Sequence, residues 1–295
     1  MLARLDPQLV TIPQKPQGPA VSLRYLGTAG FVVSGAARTL VIDPFVTRPG
    51  LLTSAFRRLV PDAVQIAERL PKADEVLVGH AHHDHVLDAP ELCRQTGARF
   101  VGSPSACNVA RAAGLPEAQL VCTRGREYIP CGPTTTIYGA PSRHGRVYFG
   151  RVTLPGTISQ PPIWPPRMWD LRHGQVLNWH IEVDGVRIVH IDSADFCAEE
   201  LAPLRADVLC LCAIGRRYRP NYVRDAVRIL QPRYVVACHW DWFFTRYDAT
   251  PRLLPGVDLA GFLTEISETG AQPVLMPFDG EFAVATKEGE AGAVG

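Results

Sequence analysis

Gly79-His-Ala-His-His-Asp-His85 is the stretch on which the reading of this chain turns. Four groups able to bind a metal, His80, His82, Asp84 and His85, fall within six residues in the pattern H-x-H-x-D-H. Neutral imidazole nitrogens suit borderline ions such as zinc, and the carboxylate adds a hard anionic oxygen. With one residue between them, His80 and His82 can turn both rings towards one ion. Asp84 and His85 lie further round and can reach a second. Crowded together without metal, such groups repel when protonated and are costly to bury unpaired. A tag-like histidine run belongs at a terminus, whereas this one follows the apolar Glu75-Val-Leu-Val in mid-chain and contains an aspartate. His83 occupies a free position of the pattern and is not read as a ligand.

Upstream, Val21-Ser-Leu-Arg-Tyr-Leu, Phe31-Val-Val and Thr39-Leu-Val-Ile are short β-rich runs separated by glycine, which reads as an antiparallel meander. Helical periodicity follows from Leu51 to Leu70, broken at prolines. Downstream, Pro90 to Gly97 and Ser103 to Gly114 read as helices, the second capped by Ser103 or Ser105 and stopped by Gly114. Arg99-Phe-Val-Gly, Leu120-Val-Cys and Thr134 to Tyr138 read as strands. Residues 145–178 hold several prolines, Trp164 and Trp169 without periodicity. Such a segment is either an active-site loop or a surface excursion with its aromatics tucked back. Beyond it, strands are expected at Leu177 to Val183 and Val186 to Ile191, joined by an Asp184-Gly185 turn. Val208 to Ile214, Tyr234 to Cys238 and a final Val274-Leu-Met-Pro read as further strands, with helices at Tyr222 to Leu230 and Leu259 to Thr269. Residues 1–20 read as an irregular lead-in and 286–295 as a frayed tail. No linker interrupts the rhythm, so one domain is expected over 1–295.

Of the 295 residues, 46% are hydrophobic and 20% charged, enough for a large buried core. A formal net charge of +1, with no long basic run, gives no field that would favour nucleic acid. No apolar stretch approaches the roughly 20 residues of a transmembrane helix. The opening Met1-Leu-Ala-Arg-Leu-Asp6 lacks a signal core, so a cytoplasmic location is expected. In such a chain the eight cysteines, none in a C-x-x-C pair, are expected to be reduced core residues. Serine-hydrolase elbows and phosphate-binding loops are absent from the sequence.

The H-x-H-x-D-H cluster after an apolar strand resembles the signature of the metallo-β-lactamase superfamily. The resemblance runs from about Val21 to Pro277. It implies a four-layer αββα sandwich with a metal centre at one edge. It also implies the remaining ligands: His144 in Ala140-Pro-Ser-Arg-His144-Gly, Asp192 after Val186 to Ile191, and His239 after Tyr234 to Cys238. Ile191 stands where the family pattern has glycine, and Asp195 competes with Asp192 for the role between the metals. By resemblance, His80, His82 and His144 hold one divalent ion, Asp84, His85 and His239 the other, and Asp192 bridges. The ions expected are Zn2+, with Mn2+ or Fe2+ as alternatives. Asp43, in Leu40-Val-Ile-Asp-Pro, matches a family aspartate that orients a ligand.

The implied activity is hydrolysis of a lactone, ester or amide of a small molecule by a hydroxide shared between two ions, with Asp84 also moving the proton. A phosphodiesterase and an iron-dependent, oxygen-using enzyme are the alternatives on the same site. Leu26-Gly-Thr-Ala-Gly-Phe, Ile42-Asp-Pro-Phe and His239-Trp-Asp resemble the branch of ascorbate-6-phosphate lactonase-like and N-acyl-phosphatidylethanolamine phospholipase D-like proteins. Arg143, Arg216, Arg217 and Arg219 are candidate anion contacts, set against the commoner fate of arginine as solvated surface charge. Trp164, Trp169, Trp240 and Trp242 are candidate walls of an apolar pocket, set against ordinary packing. His173, His180 and His190 have no motif and are expected to be structural. A homo-oligomer is compatible with all of this.

Overall fold

The structure, a computed structural model, describes residues 2–286. The strands in the middle of each sheet are buried almost without interruption, as in sheets covered on both faces, while those at the edges are partly exposed. Those of the first sheet are β1 (Ala20–Gly27), β2 (Gly30–Ser34), β3 (Thr39–Ile42), β4 (Glu75–Val78), β5 (Arg99–Gly102) and β6 (Leu120–Cys122). The second sheet holds β7 (Tyr128–Pro130), β8 (Thr135–Ser142), β9 (Val176–Val183), β10 (Val186–Ile191), β11 (Val208–Cys212), β12 (Tyr234–Cys238) and β13 (Gln272–Val274). A last strand, β14 (Glu281–Ala285), returns to pair with β1, giving the first sheet the order β14-β1-β2-β3-β4-β5-β6. The second sheet runs β7 to β13 in sequence order. Each sheet has three antiparallel pairings followed by three parallel ones.

Alternation along the strands sorts the two faces. Leu40, Ile42, Leu77 and Val101 turn into the core shared with the second sheet, where Ile137, Trp179, Ile181 and Ile188 meet them. Val41, Val76, Val78 and Phe100 turn the other way, onto Ile66, Leu92, Cys93 and Val109 of the helices Ala63–Arg69, Ala89–Thr96 and Pro104–Ala112. Tyr222–Leu230 and Leu259–Glu268 cover the outer face of the second sheet through Val223, Ala226, Phe262 and Ile266. The result is the four-layer αββα sandwich.

Local chemistry sets the element ends. Pro104 opens its helix, the Ser103 hydroxyl accepts from Ala106 N, and Gly97, at φ 75°, ends the preceding helix. Asp184 and Gly185 both take positive φ, the two-residue turn that matches the twist of β9 and β10. The expected final strand at Val274 stops there; Leu275 makes only an isolated bridge to Thr11. The true last strand is β14, and Thr286 beyond it is buried, its N–H bonded to Pro19 O. The rest of the expected tail, 287–295, lies outside the described residues. The lead-in holds a single turn of 3-10 helix, Pro7–Leu9. Among the described residues no helix is long and apolar enough to cross a membrane. All eight cysteines are free thiols, and Cys122 alone is exposed.

Phe282 of β14 is 1% exposed, and its ring meets that of Tyr234 on β12 edge-on at 4.9 Å, so the last strand also ties the sheets together. Phe282→Ala is expected to cost about 3–5 kcal/mol of stability, measured as a lower urea midpoint. An unchanged midpoint would show that β14 contributes nothing to the sandwich.

Candidate metal centre

Four strand ends deliver the site. Asp43 follows β3, the Gly79–His85 turn follows β4, Asp192 follows β10, and His239 follows β12. His144 stands two residues beyond β8. Most of these are carboxyl ends of parallel strands, where open α/β sheets place their ligands. The structure brings all seven expected groups together. His80, His82 and His144 form one trio, Asp84, His85 and His239 a second, and His80, His85 and Asp192 a third between them. Within each trio the candidate donor atoms lie within 4.8 Å of one another. His144 is half-buried and the other six are buried.

The rings are held from behind. His85 Nδ1 hydrogen-bonds Asp43 Oδ2 at 2.8 Å, while Asp43 Oδ1 accepts from Gly79 N at 2.8 Å. His80 Nδ1 hydrogen-bonds Asp192 Oδ2 at 2.6 Å, and its Nε2 lies 2.9 Å from His82 Nδ1. His144 Nδ1 bonds Gly145 O at 2.8 Å. Asp84 Oδ2 lies 3.4 Å from His239 Nε2 and 3.6 Å from His85 Nε2. Asp195 turns instead to Arg219 and to Phe196 N, so of the two competing aspartates only Asp192 reaches the cluster.

Burial, first of all, pushes the His80, His82 and His85 imidazoles well below their ordinary range, and their histidine neighbours add to it. They are therefore neutral, the form that binds metal. Burial also raises the Asp84 carboxyl, but His85, His239 and His83 outweigh it and hold it well below the usual carboxylate range. Asp43 is driven the other way by burial and by the charge of Asp192. Asp192 Oδ1 and His239 Nδ1 are buried with no hydrogen-bond partner among the described residues. Three buried carboxylates among neutral imidazoles, with orphaned donor atoms, are a set that divalent cations would satisfy.

A cavity of about 240 Å³ opens over the cluster. Val147, Leu154, Met168, Ile214, Phe243 and Phe244 form its apolar wall. Val147, Tyr148, Thr153, Leu154 and Met168 come from the segment 145–178. Up to Gln175 that segment carries two short turns, Tyr148–Gly150 and Met168–Asp170, its last three residues already belong to β9, and it packs onto the site through Ala81 N, which donates to His173 O.

Several expected contacts lie elsewhere. Trp240 is fully buried against Tyr25 and Phe278 and does not reach the cavity. Trp169 sits outside it, under the Arg167 guanidinium, because its neighbour Met168 takes the inward position. Arg216 is bound by Asp258 and Glu265, and Arg143 is exposed; neither lines the cavity. Trp164 is half-buried against the edge of the core and Trp242 packs against Phe244. The aromatic wall is Phe243-Phe244, which sequence reasoning passed over in favour of the larger rings. It also passed over His173, whose ring stacks on His144 at 5.4 Å and meets His82 at 5.9 Å. No periodicity marks these residues, so only the fold could place them. His83 lies in the cavity wall among Phe45, Phe243 and Phe244 and belongs to none of the trios. His180 and His190 bond backbone carbonyls of Arg205 and Ala29.

The family model of the beta-lactamase superfamily domain matches residues 22–239. The chain belongs to that superfamily. A UPF0173 metal-dependent hydrolase of Thermococcus onnurineus is 32% identical over 228 residues, 75% of this chain and 85% of the relative. One from Thermococcus kodakarensis is 31% identical over 231 residues, again 75% and 85%. Among solved structures, Igni18, a metallo hydrolase of Ignicoccus hospitalis, superposes with a TM-score of 0.59 at 21% identity, covering 91% of this chain and all of that one. CmlA, a diiron β-hydroxylase of Streptomyces venezuelae, gives 0.59 at 13% identity, covering 92% of this chain and 55% of that one. At such identities the superpositions speak for the fold. This member of the superfamily is a metal-dependent hydrolase.

Behind His239 lies a fully buried ion pair, Arg48 to Asp241 at 2.7 Å. Asp241 Oδ1 also accepts from Thr28 N at 2.6 Å and the Tyr25 hydroxyl at 2.9 Å, and His239 N donates to Thr28 O. The pair thus fixes the loop that presents His239. Asp241→Asn leaves Arg48 buried without a counter-charge and is expected to cost about 3–5 kcal/mol, read as a lower Tm. A Tm within about 1 °C of the parent protein would refute this role for the pair.

The depressed imidazoles also give a pH dependence. Below the ordinary imidazole value of about 6.5 the unfolded chain takes up protons that His80, His82 and His85 refuse when folded. Stability of chelator-treated protein is expected to fall as pH drops through that value and to be level above it. Thermal melts across the range check this, and a Tm rising on acidification would contradict it.

Proposed function

We propose that this hydrolase uses two divalent ions, with Zn2+ the expected species, to cleave a lactone, ester or amide bond of a small molecule. His80, His82 and His144 would hold one ion, Asp84, His85 and His239 the other, with Asp192 between them. Bound there, the ions would supply a water whose pKa is lowered to about 7 and a Lewis acid for the substrate oxygen. The chain's own groups do the rest. Asp43 and Asp192 fix the His85 and His80 rings before any ligand arrives. Asp84, kept ionised, is placed to take a proton at Oδ2 and pass it to the leaving group. Phe243, Phe244, Leu154 and Met168 shed water from the reacting end of the substrate.

The observation that favours a neutral carbonyl centre over a phosphodiester is the cavity wall. No lysine or arginine among the described residues lines it, so metal would be the main compensation for a phosphodiester's charge. A small-molecule substrate fits a space of about 240 Å³.

Metal analysis of the purified protein, paired with a panel of lactones and aryl esters set against bis-p-nitrophenyl phosphate, tests the reading. Turnover of the lactones or esters with two zinc ions per chain is the expected result. Preferential turnover of the phosphodiester would overturn the substrate class, and an iron-loaded protein consuming oxygen would overturn hydrolysis by zinc. His82→Ala is expected to lose metal and to reduce activity at least about a hundredfold. Retention of both would sink the ligand assignment.

A further inference from the structure

The metal cavity does not end at its apolar wall. Val147, Tyr148 and Ile214 line both it and a narrow neck, and the neck's other side is formed by Arg216, Arg217 and Gly256. Those three residues in turn line a broad surface cleft of about 890 Å³. Metal cavity, neck and cleft thus adjoin one another through shared lining residues.

The cleft's charge is unevenly spent. Five arginines line it, Arg216, Arg217, Arg219, Arg224 and Arg228, against three carboxylates, Asp258, Glu265 and Glu268. Arg216 is neutralised by Asp258 and Glu265, Arg219 by Asp195, and Arg228 by Asp225 of its own helix. Arg217 bonds only the Tyr218 hydroxyl, and neither Arg217 nor Arg224 has a carboxylate partner among the described residues. Arg217 also stands where cleft meets neck, close enough for its charge to act on the Tyr148 phenol. The Tyr148 hydroxyl itself is buried at the neck without a hydrogen-bond partner. The adjoining spaces therefore have a reacting end lined by no lysine or arginine among the described residues, a polar constriction with an unmet hydroxyl, and an outer end with two guanidinium groups that make no ion pair among the described residues.

We infer that the substrate carries an anionic group, carboxylate or phosphate, on an arm that leaves the metal cavity past Tyr148. Arg217 and Arg224 hold that group in the outer cleft. Guanidinium forks match both kinds of oxyanion, and the separation keeps the charge away from the reacting carbonyl. This inference rests on the hydrolase reading and narrows its substrate class. Of the neighbouring arginines that the sequence marked as anion contacts, Arg216 and Arg219 are occupied by carboxylates, whereas Arg217 has no carboxylate partner among the described residues.

Three p-nitrophenyl esters test it with the metal-loaded protein: the hexanoate, the adipate with its second carboxyl free, and the 6-phosphohexanoate. One or both anionic esters should exceed the hexanoate by roughly tenfold in kcat/KM, mainly through KM. The double variant R217Q/R224Q should bring that ratio to about one. R94Q, an exposed arginine distant from the cleft, should keep it. Circular dichroism and melting curves establish that the variants are folded. A parent ratio near one, or a ratio that survives in the double variant, overturns the inference and leaves the hydrolase reading standing. If no ester is turned over, esters are removed from the substrate class, and calorimetry with adipate and 6-phosphohexanoate decides the anion site by itself. A Kd weakened roughly tenfold in R217Q/R224Q upholds the site, and equal or absent binding overturns it. The adipate and phosphate arms also separate the two sources of the anion.

Discussion

The architecture of the centre depends on one close approach, at Gly79. A β-carbon built there would lie 2.2 Å from Asp192 Oδ2 and 3.3 Å from Asp43 Oδ2. Its N–H donates to Asp43, and its carbonyl accepts from Leu177 N of the second sheet at 2.9 Å. Two carboxylates, one from each sheet, thereby converge on a single peptide that has no side chain to keep them apart. The turn that follows must place His80 against Asp192 and His85 against Asp43. Any larger residue at this position would separate the sheet ends and disperse the cluster.

The carboxylates stand at corresponding places in the two sheets. Asp43 follows the fourth strand of the first sheet's spatial order, and Asp192 follows the fourth of the second. Each lies where the pairing changes from antiparallel to parallel. Each grips one histidine of the same turn. The site is therefore assembled across the seam between two similar halves, with the motif itself supplied by only one of them. Burial then makes the assembly strongly selective. It keeps the imidazoles neutral and leaves an Asp192 oxygen without a partner, a state that favours a dication over a proton or a water.

The legible parts of the fold were those where a local pattern coincides with a global one. Thr39 to Ile42, Val208 to Cys212 and Tyr234 to Cys238 are apolar runs between turn residues, and all are central strands. The seven clustered groups were readable because a dense motif anchors them and each later member ends a strand. Tyr128–Pro130 was missed because three residues with a closing proline carry no alternation to detect, and Glu281–Ala285 because its pairing with β1 spans nearly the whole chain. The cavity wall was misread for a related reason. Tryptophan is large enough to serve either as core or as wall, and at Trp240 the aromatic neighbours Tyr25 and Phe278 decide for core. Which aromatic faces the metals depends on the path of 145–178, and that path is set by tertiary contacts.

The placement of the last strand has a wider bearing on how the molecule comes apart. The first sheet is completed by a strand that follows every strand of the second, and the Pro19 carbonyl is bonded by Thr286 N across 267 residues. Neither sheet can therefore be a self-sufficient folding unit, although their strand orders match. Loss of one exposes the inner face of the other, and the edge strand of the first is covalently part of the second. Denaturation should then couple the two sheets, and the first sheet cannot be completed until the second has been synthesised and β14 has followed it.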